Sequence, residues 1–86
     1  MRLAWTAQGW EDYVYWQTAD RSMLKRINRL IDDALRYPLA GIGKPEPLKY
    51  RGDNAWSRRI TDEHRLVYVV EGGELVIVQA RFHYDD

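Results

Sequence analysis

The sequence contains no cysteine, which excludes disulfides, thiol catalysis and zinc sites built on thiolates. It has only two histidines, and these with scattered carboxylates do not make a metal centre, so no metal or other cofactor is expected. No apolar run approaches the roughly 18 to 20 residues of a bilayer-spanning helix. The opening MRLAWTAQGW has neither the apolar stretch nor the small-residue cleavage site of a secretory signal. A cytoplasmic protein is therefore expected. Net charge is missing too, since 13 basic residues balance 13 acidic ones, and a global basic excess of the kind that marks nucleic-acid binders is absent.

What is present suits one domain over residues 1–86: 45% hydrophobic and 30% charged positions support a single modest core. The charge is unevenly placed. Between Lys44 and Arg59 stand five basic residues, Lys44, Lys49, Arg51, Arg58 and Arg59, against Glu46 and Asp53, so a local basic patch is compatible with a neutral whole.

After a short apolar start, RLAWT, the segment AQGWEDYVYWQTA predicts a helix opened by Thr6 or Ala7, with Trp10, Tyr13, Val14 and Gln17 on one face. Trp16 and Tyr15 are left free for an interface. A second helix follows Asp20 as N-cap, its inward stripe formed by Met23, Leu24, Ile27, Leu30, Ile31, Ala34 and Leu35 and its solvated side by charges that include Asp33. Tyr37-Pro38 stops it. AGIGKPEPLKY reads as a loop, and then the period changes to two in AWSRRIT, HRLVYVVE and ELVIVQARFHY, the last two joined at Gly72-Gly73. The expected fold class is α+β, with two N-terminal helices on one face of a mainly antiparallel, twisted sheet.

Helices on one face leave the other open, and the hairpin register decides what lies there. A two-residue loop pairs Glu71 with Glu74. A three-residue loop places Arg65 with Gln79, Arg81 and His83, and sends Leu66, Tyr68, Val70, Val76, Val78, Ala80 and Phe82 to the helices. The second register segregates residues better and is the expected one, with Trp56 and Ile60 inward. The open face would then be polar and carry Arg59, Arg65, Arg81 and His83, rimmed by the Lys44–Lys49 loop.

Such a set can cut RNA by proton transfer alone. A carboxylate or imidazole takes the 2′-hydroxyl proton, guanidinium forks neutralise the phosphorane, and a second titratable group protonates the departing 5′-oxygen. Glu46, between Pro45 and Pro47, and His83 are candidates for base and acid. Each also has a plainer reading: Glu46 as a solvated loop residue, the arginines as cover for an exposed face, His64 as a turn residue, Tyr84 as a core-edge residue with a wet hydroxyl.

The segments LAW…W.DY.YW, G.GKPEPLK, WSRRIT.EHRLVY and the terminal HY, in this order and length, resemble the YoeB toxins of the RelE/ParE superfamily across essentially the whole chain. The resemblance implies a RelE-like, microbial ribonuclease-type fold and a toxin of a type II toxin–antitoxin system, an mRNA interferase that inhibits translation. It would cleave translated mRNA in the ribosomal A site by metal-independent 2′-hydroxyl attack. By the family pattern Glu46 is the general base, His83 the general acid, Arg59 and Arg65 hold the phosphate, Lys49 adds charge and Tyr84 positions the nucleotide; Lys44 and Arg81 are further RNA-contact candidates from the face alone. The resemblance also implies a homodimer, neutralised by a YefM-type antitoxin in a complex that binds operator DNA. Two readings of another class share the fold: a ParE-like inhibitor that docks on gyrase, or an inactive antitoxin-binding module. Asp85 and Asp86 continue past the tyrosine at which such chains typically end; they would favour protonated His83 and repel phosphate.

Overall fold

Thr6 opens the first helix in the computed structural model, which describes residues 1–52 and 54–82. Its hydroxyl oxygen accepts the Gly9 N–H at 3.1 Å and caps α1, Ala7–Ala19. Asp20 then serves two helices. Its N–H closes α1 onto the Trp16 carbonyl, and its carboxylate caps α2, Arg21–Arg36, by accepting from the N–H groups of Ser22 and Met23. These bonds hold the Asp20 carboxyl below the usual range, the Ser22 hydroxyl contributing most. The α2 stripe is as expected, with Ile27, Leu30, Ile31 and Ala34 buried and Met23, Leu24 and Leu35 packed around them.

The extent of α1 is as expected, but of its expected inward face only Tyr13 packs against the core. The buried positions of α1 are Gly9, Asp12 and Trp16, while Trp10 is half exposed and Val14 exposed. Backbone proximity, not apolarity, selects this face. At Gly9 a Cβ would overlap the Ile77 carbonyl, and Asp12 reaches the Ala80 N–H at 3.0 Å. Trp16, expected at an interface, is in the core and donates from Nε1 to the Ala80 carbonyl at 2.8 Å.

Five strands form one sheet: β1 Arg2–Trp5, β2 Glu46–Pro47, β3 Ala55–Arg59, β4 Arg65–Glu71 and β5 Glu74–Gln79, in the order β1-β5-β4-β3-β2. β1 runs parallel to β5 and the other neighbours are antiparallel. A sheet of this kind with two helices on one face agrees with the α+β expectation. Leu66, Tyr68, Leu75, Ile77 and Ala80 meet the helices in the main core.

The expected hairpin register is overturned at the turn and recovered beyond it. Glu71 pairs with Glu74, because Gly72 and Gly73 both take positive φ, 59° and 74°, as a two-residue type I′ turn requires. Leu75 and Ile77 therefore face the helices and Val76 and Val78 do not. Between Val67 and Tyr68 the pairing then shifts: Tyr68 lies opposite Ile77, but Val67 lies opposite Gln79. Val78 is the extra residue of a β-bulge, which changes the face of everything after it. The N-terminus of α1 holds this bulge, with Thr6 Oγ1 3.3 Å from the carbonyl oxygens of both Ile77 and Val78. Arg65 and Gln79 consequently share a face, and Phe82, expected inward, is exposed.

Nor is the open face wholly polar. Leu48 folds over it and, with Ala55 and Val67, forms a second small core against Val69 and Val78.

Candidate active site on the uncovered sheet face

Cross-strand partners share a face of the sheet, so the register places Glu46, Ser57, Val67 and Gln79 in one row across β2, β3, β4 and β5. Arg59 and Arg65 are paired on the same face, two residues further along their strands. Glu46 is thus fixed in a ladder at the sheet edge, where the sequence suggested only a stiff loop. Its side chain is exposed.

The segment leading to Glu46 is held from beneath by a residue that the sequence placed in the basic patch. Arg58 is fully buried and every donor group of its guanidinium is used. Nε donates to the Tyr68 hydroxyl, Nη1 to Asp33 and the Ile42 carbonyl, and Nη2 to the carbonyls of Tyr37 and Ala40 at 2.6 and 2.7 Å. Tyr68 in turn donates to the Pro38 carbonyl. Asp33 is therefore no solvated helix charge: the Arg58 guanidinium, then the Ile42 N–H, hold its carboxyl below the usual range. Burial pushes the Tyr68 phenol up, against the opposing pull of Arg58. One bond more, Arg59 N–H to the Gly43 carbonyl at 2.7 Å, ties this loop to β3 just ahead of Glu46.

Arg65 is anchored by one nitrogen. Its Nη1 donates to the carbonyls of Thr61, Asp62 and His64, while Nε and Nη2 have no partner among the described residues. That edge of the fork matches two phosphate oxygens. Arg59 is exposed, with a 3.5 Å contact to Asp62. Lys49 opens a 3-10 turn, Lys49–Arg51, beyond Leu48, and Lys44 has a positive φ of 51°; both side chains are exposed at the β2 end. Arg81 departs from expectation: its guanidinium lies 3.6 Å from the Tyr15 ring centroid and 4.5 Å from that of Phe82. His83, Tyr84, Asp85 and Asp86 lie outside the described residues.

The chain just before His83 is closely held. Gln79 Nε2 donates to the carbonyls of Arg81 and Phe82, Arg65 N–H to the Phe82 carbonyl at 3.0 Å, and Phe82 N–H to His64 Nδ1 at 2.7 Å. His64, read from sequence as a turn residue, thus reaches across to the C-terminal segment. Nothing local in TDEHR signals this. Arg58 did carry a signal, since it alternates with Trp56 and Ile60 at an inward position, where an arginine must be paired.

The site is an open surface. A groove of about 430 Å³ lies elsewhere, lined by Leu3, Trp5, Tyr13 and Ile31 between β1 and the helices, so the exposed carboxylate and arginines suit a polymer that lies across a sheet better than a small enclosed ligand. Among the described residues no group of three or more potential metal ligands gathers, and no helix is long and apolar enough to cross a membrane.

Comparison with known proteins identifies the family and the fold. Residues 5–84 match the model of the YoeB-like toxin of bacterial type II toxin-antitoxin systems. Toxin YoeB of Streptomyces coelicolor is 60% identical over 84 residues, 98% of this chain and 100% of that protein. A YoeB/ParE toxin from Agrobacterium tumefaciens superposes with a TM-score of 0.93 at 53% identity, over 98% of this chain and 100% of that one. A YoeB dimer and a YoeB-YefM complex from Staphylococcus aureus give TM-scores of 0.89 and 0.86 at 42% and 41% identity, each covering 98% of both chains. With 80 of its residues inside the family model and a relative matched over its whole length at 60% identity, the chain belongs to the YoeB-like toxins of bacterial type II toxin-antitoxin systems.

Proposed function

We propose that this toxin is a cytoplasmic, ribosome-dependent mRNA endonuclease that inhibits translation by cutting translated mRNA in the ribosomal A site. The observation that carries the reading is the shared uncovered face of Glu46, Arg59 and Arg65. Glu46 takes the 2′-hydroxyl proton, the 2′-oxygen attacks phosphorus, and the phosphorane charge falls on the free edge of Arg65 with Arg59 beside it. His83 gives a proton to the departing 5′-oxygen, leaving a 2′,3′-cyclic phosphate and a 5′-hydroxyl. Tyr84 positions the nucleotide, while Lys44 and Lys49 supply charge at the β2 end. Arg81 is the least available of the basic set, because its guanidinium lies on Tyr15. The acid and base chemistry is complete in protein groups, so the reaction requires no metal.

The Staphylococcus aureus dimer and YoeB-YefM complex support a homodimer and a YefM-type antitoxin for this chain as well, and the toxin–antitoxin complex would bind operator DNA. Primer extension on mRNA in a translation extract tests the activity. Cuts should appear only in translated message, and Glu46→Gln should slow them by about 10²- to 10⁴-fold. Intact mRNA together with inhibited DNA supercoiling would instead establish the gyrase-docking alternative.

A further inference from the structure

Phe82 is, with Lys44, one of two non-glycine residues with a positive φ among the described residues. It has a φ of 64°, a left-handed backbone that bulky side chains rarely adopt, and the residue is 58% exposed, so little apolar burial offsets the strain. What holds it is polar. Its carbonyl accepts from Arg65 N–H and from Gln79 Nε2, and its N–H donates to His64 Nδ1 at 2.7 Å.

An imidazole nitrogen accepts from a backbone N–H through its lone pair, so Nδ1 is the acceptor that this bond requires of His64. The ring is fixed in turn by Trp16, which meets it edge-on at 4.9 Å between centroids. Trp16 is itself buried and bonded to the Ala80 carbonyl. Thus α1, the turn before β4 and the end of β5 converge on one residue, Phe82, whose two flanking peptide groups are both held.

We infer that His64 is a positioning residue for the C-terminal catalytic segment: through Nδ1 it fixes the left-handed Phe82 and so the direction in which the chain leaves toward His83. The inference rests on the proposed nuclease reading for its effect on rate, and on the hydrogen bond alone for its effect on Phe82. Placing an acid within hydrogen-bond reach of a leaving oxygen depends on backbone placement to within about an ångström.

The test compares His64→Asn, His64→Gln and His64→Leu. Asparagine can present Oδ1 where Nδ1 stands; glutamine presents its acceptor further out, and leucine has none. The rate of a single round of mRNA cleavage on saturating ribosomes is read beside hydrogen exchange at the Phe82 amide and the melting temperature. Expected are near wild-type cleavage and Phe82 protection for Asn, and a loss of about 10- to 100-fold with faster Phe82 exchange for Gln and Leu. Should Leu fail to fold, the contrast of Asn with Gln decides. Equal rates in all folded variants, or Asn as impaired as Gln, would overturn the inference. If wild-type protein leaves mRNA intact, the nuclease reading fails and exchange decides alone: protection kept in Asn and lost in Gln upholds the role of His64, and equal exchange removes it.

Discussion

Arg58 and Asp33 meet at 2.6 Å, Nη1 to Oδ2, with the arginine side chain wholly buried and the aspartate partly so. The pair joins β3 to α2, and the same guanidinium gathers three carbonyls of the connecting segment, those of Tyr37, Ala40 and Ile42. Arg58→Met fills the space but strands the carboxylate and the carbonyls. A loss of about 3–5 kcal/mol is expected, as when one partner of a buried pair is removed, and equilibrium urea unfolding measures it. A cost below about 1 kcal/mol would mean that the segment holds itself.

The same pair sets an acid limit. Because the folded Asp33 carboxyl titrates below its unfolded value, through Arg58 first and the Ile42 N–H second, the unfolded chain binds more protons in that range and stability rises with pH. The contribution is complete above the ordinary carboxylate range and disappears as pH falls through the lowered folded value. Urea midpoints for wild type and Asp33→Asn should therefore converge on acidification. Asp20, lowered chiefly by the Ser22 hydroxyl, leaves a residual slope in both proteins.

Gly9→Ala reverses a propensity argument. Alanine favours a helix over glycine by about 1 kcal/mol, yet the added Cβ would enter the Ile77 carbonyl where α1 rests on the bulge. Overpacking of this kind costs about 1–3 kcal/mol, and a net drop in thermal midpoint is expected. A rise would show that α1 can lift from β5 freely.

Arg65→Lys keeps a charge but loses the second edge of the fork. Lysine cannot both hold the turn carbonyls that Nη1 binds and present two donors to phosphate. Cleavage of translated mRNA should fall by about 10-fold or more, on the worth of about 1.5–3 kcal/mol for a hydrogen bond to a charged group. Retained activity would assign the phosphate to Arg59 instead.

Elements with a strong local cause were legible in the sequence. The α2 stripe, its Asp20 cap and its stop at Tyr37-Pro38 all follow from periodicity and backbone chemistry. The extent of α1 and its Thr6 cap were legible too, but its buried face was not, because that face is chosen by the closeness of β5, and closeness selects Gly9 and Asp12 over Trp10. The open-face arrangement was half legible. Alternation put Arg59 and Arg65 together, but Gly72-Gly73 specifies the two-residue turn, and only the Val78 bulge returns Gln79 to their side. A bulge pinned by a threonine more than 70 positions away has no local sequence signature, and neither has the His64 bond to Phe82 across 18 positions.

The two-residue β2 strand has a consequence for the protein's behaviour at high concentration. It forms one border of the sheet, where unpaired backbone groups invite a strand from another molecule and so begin aggregation. Prolines at 45 and 47 remove two N–H donors from that border, and Glu46 adds a charge between them. The carboxylate proposed for catalysis is therefore also a gatekeeper, and Pro45→Thr with Pro47→Thr should raise light scattering before it alters the fold.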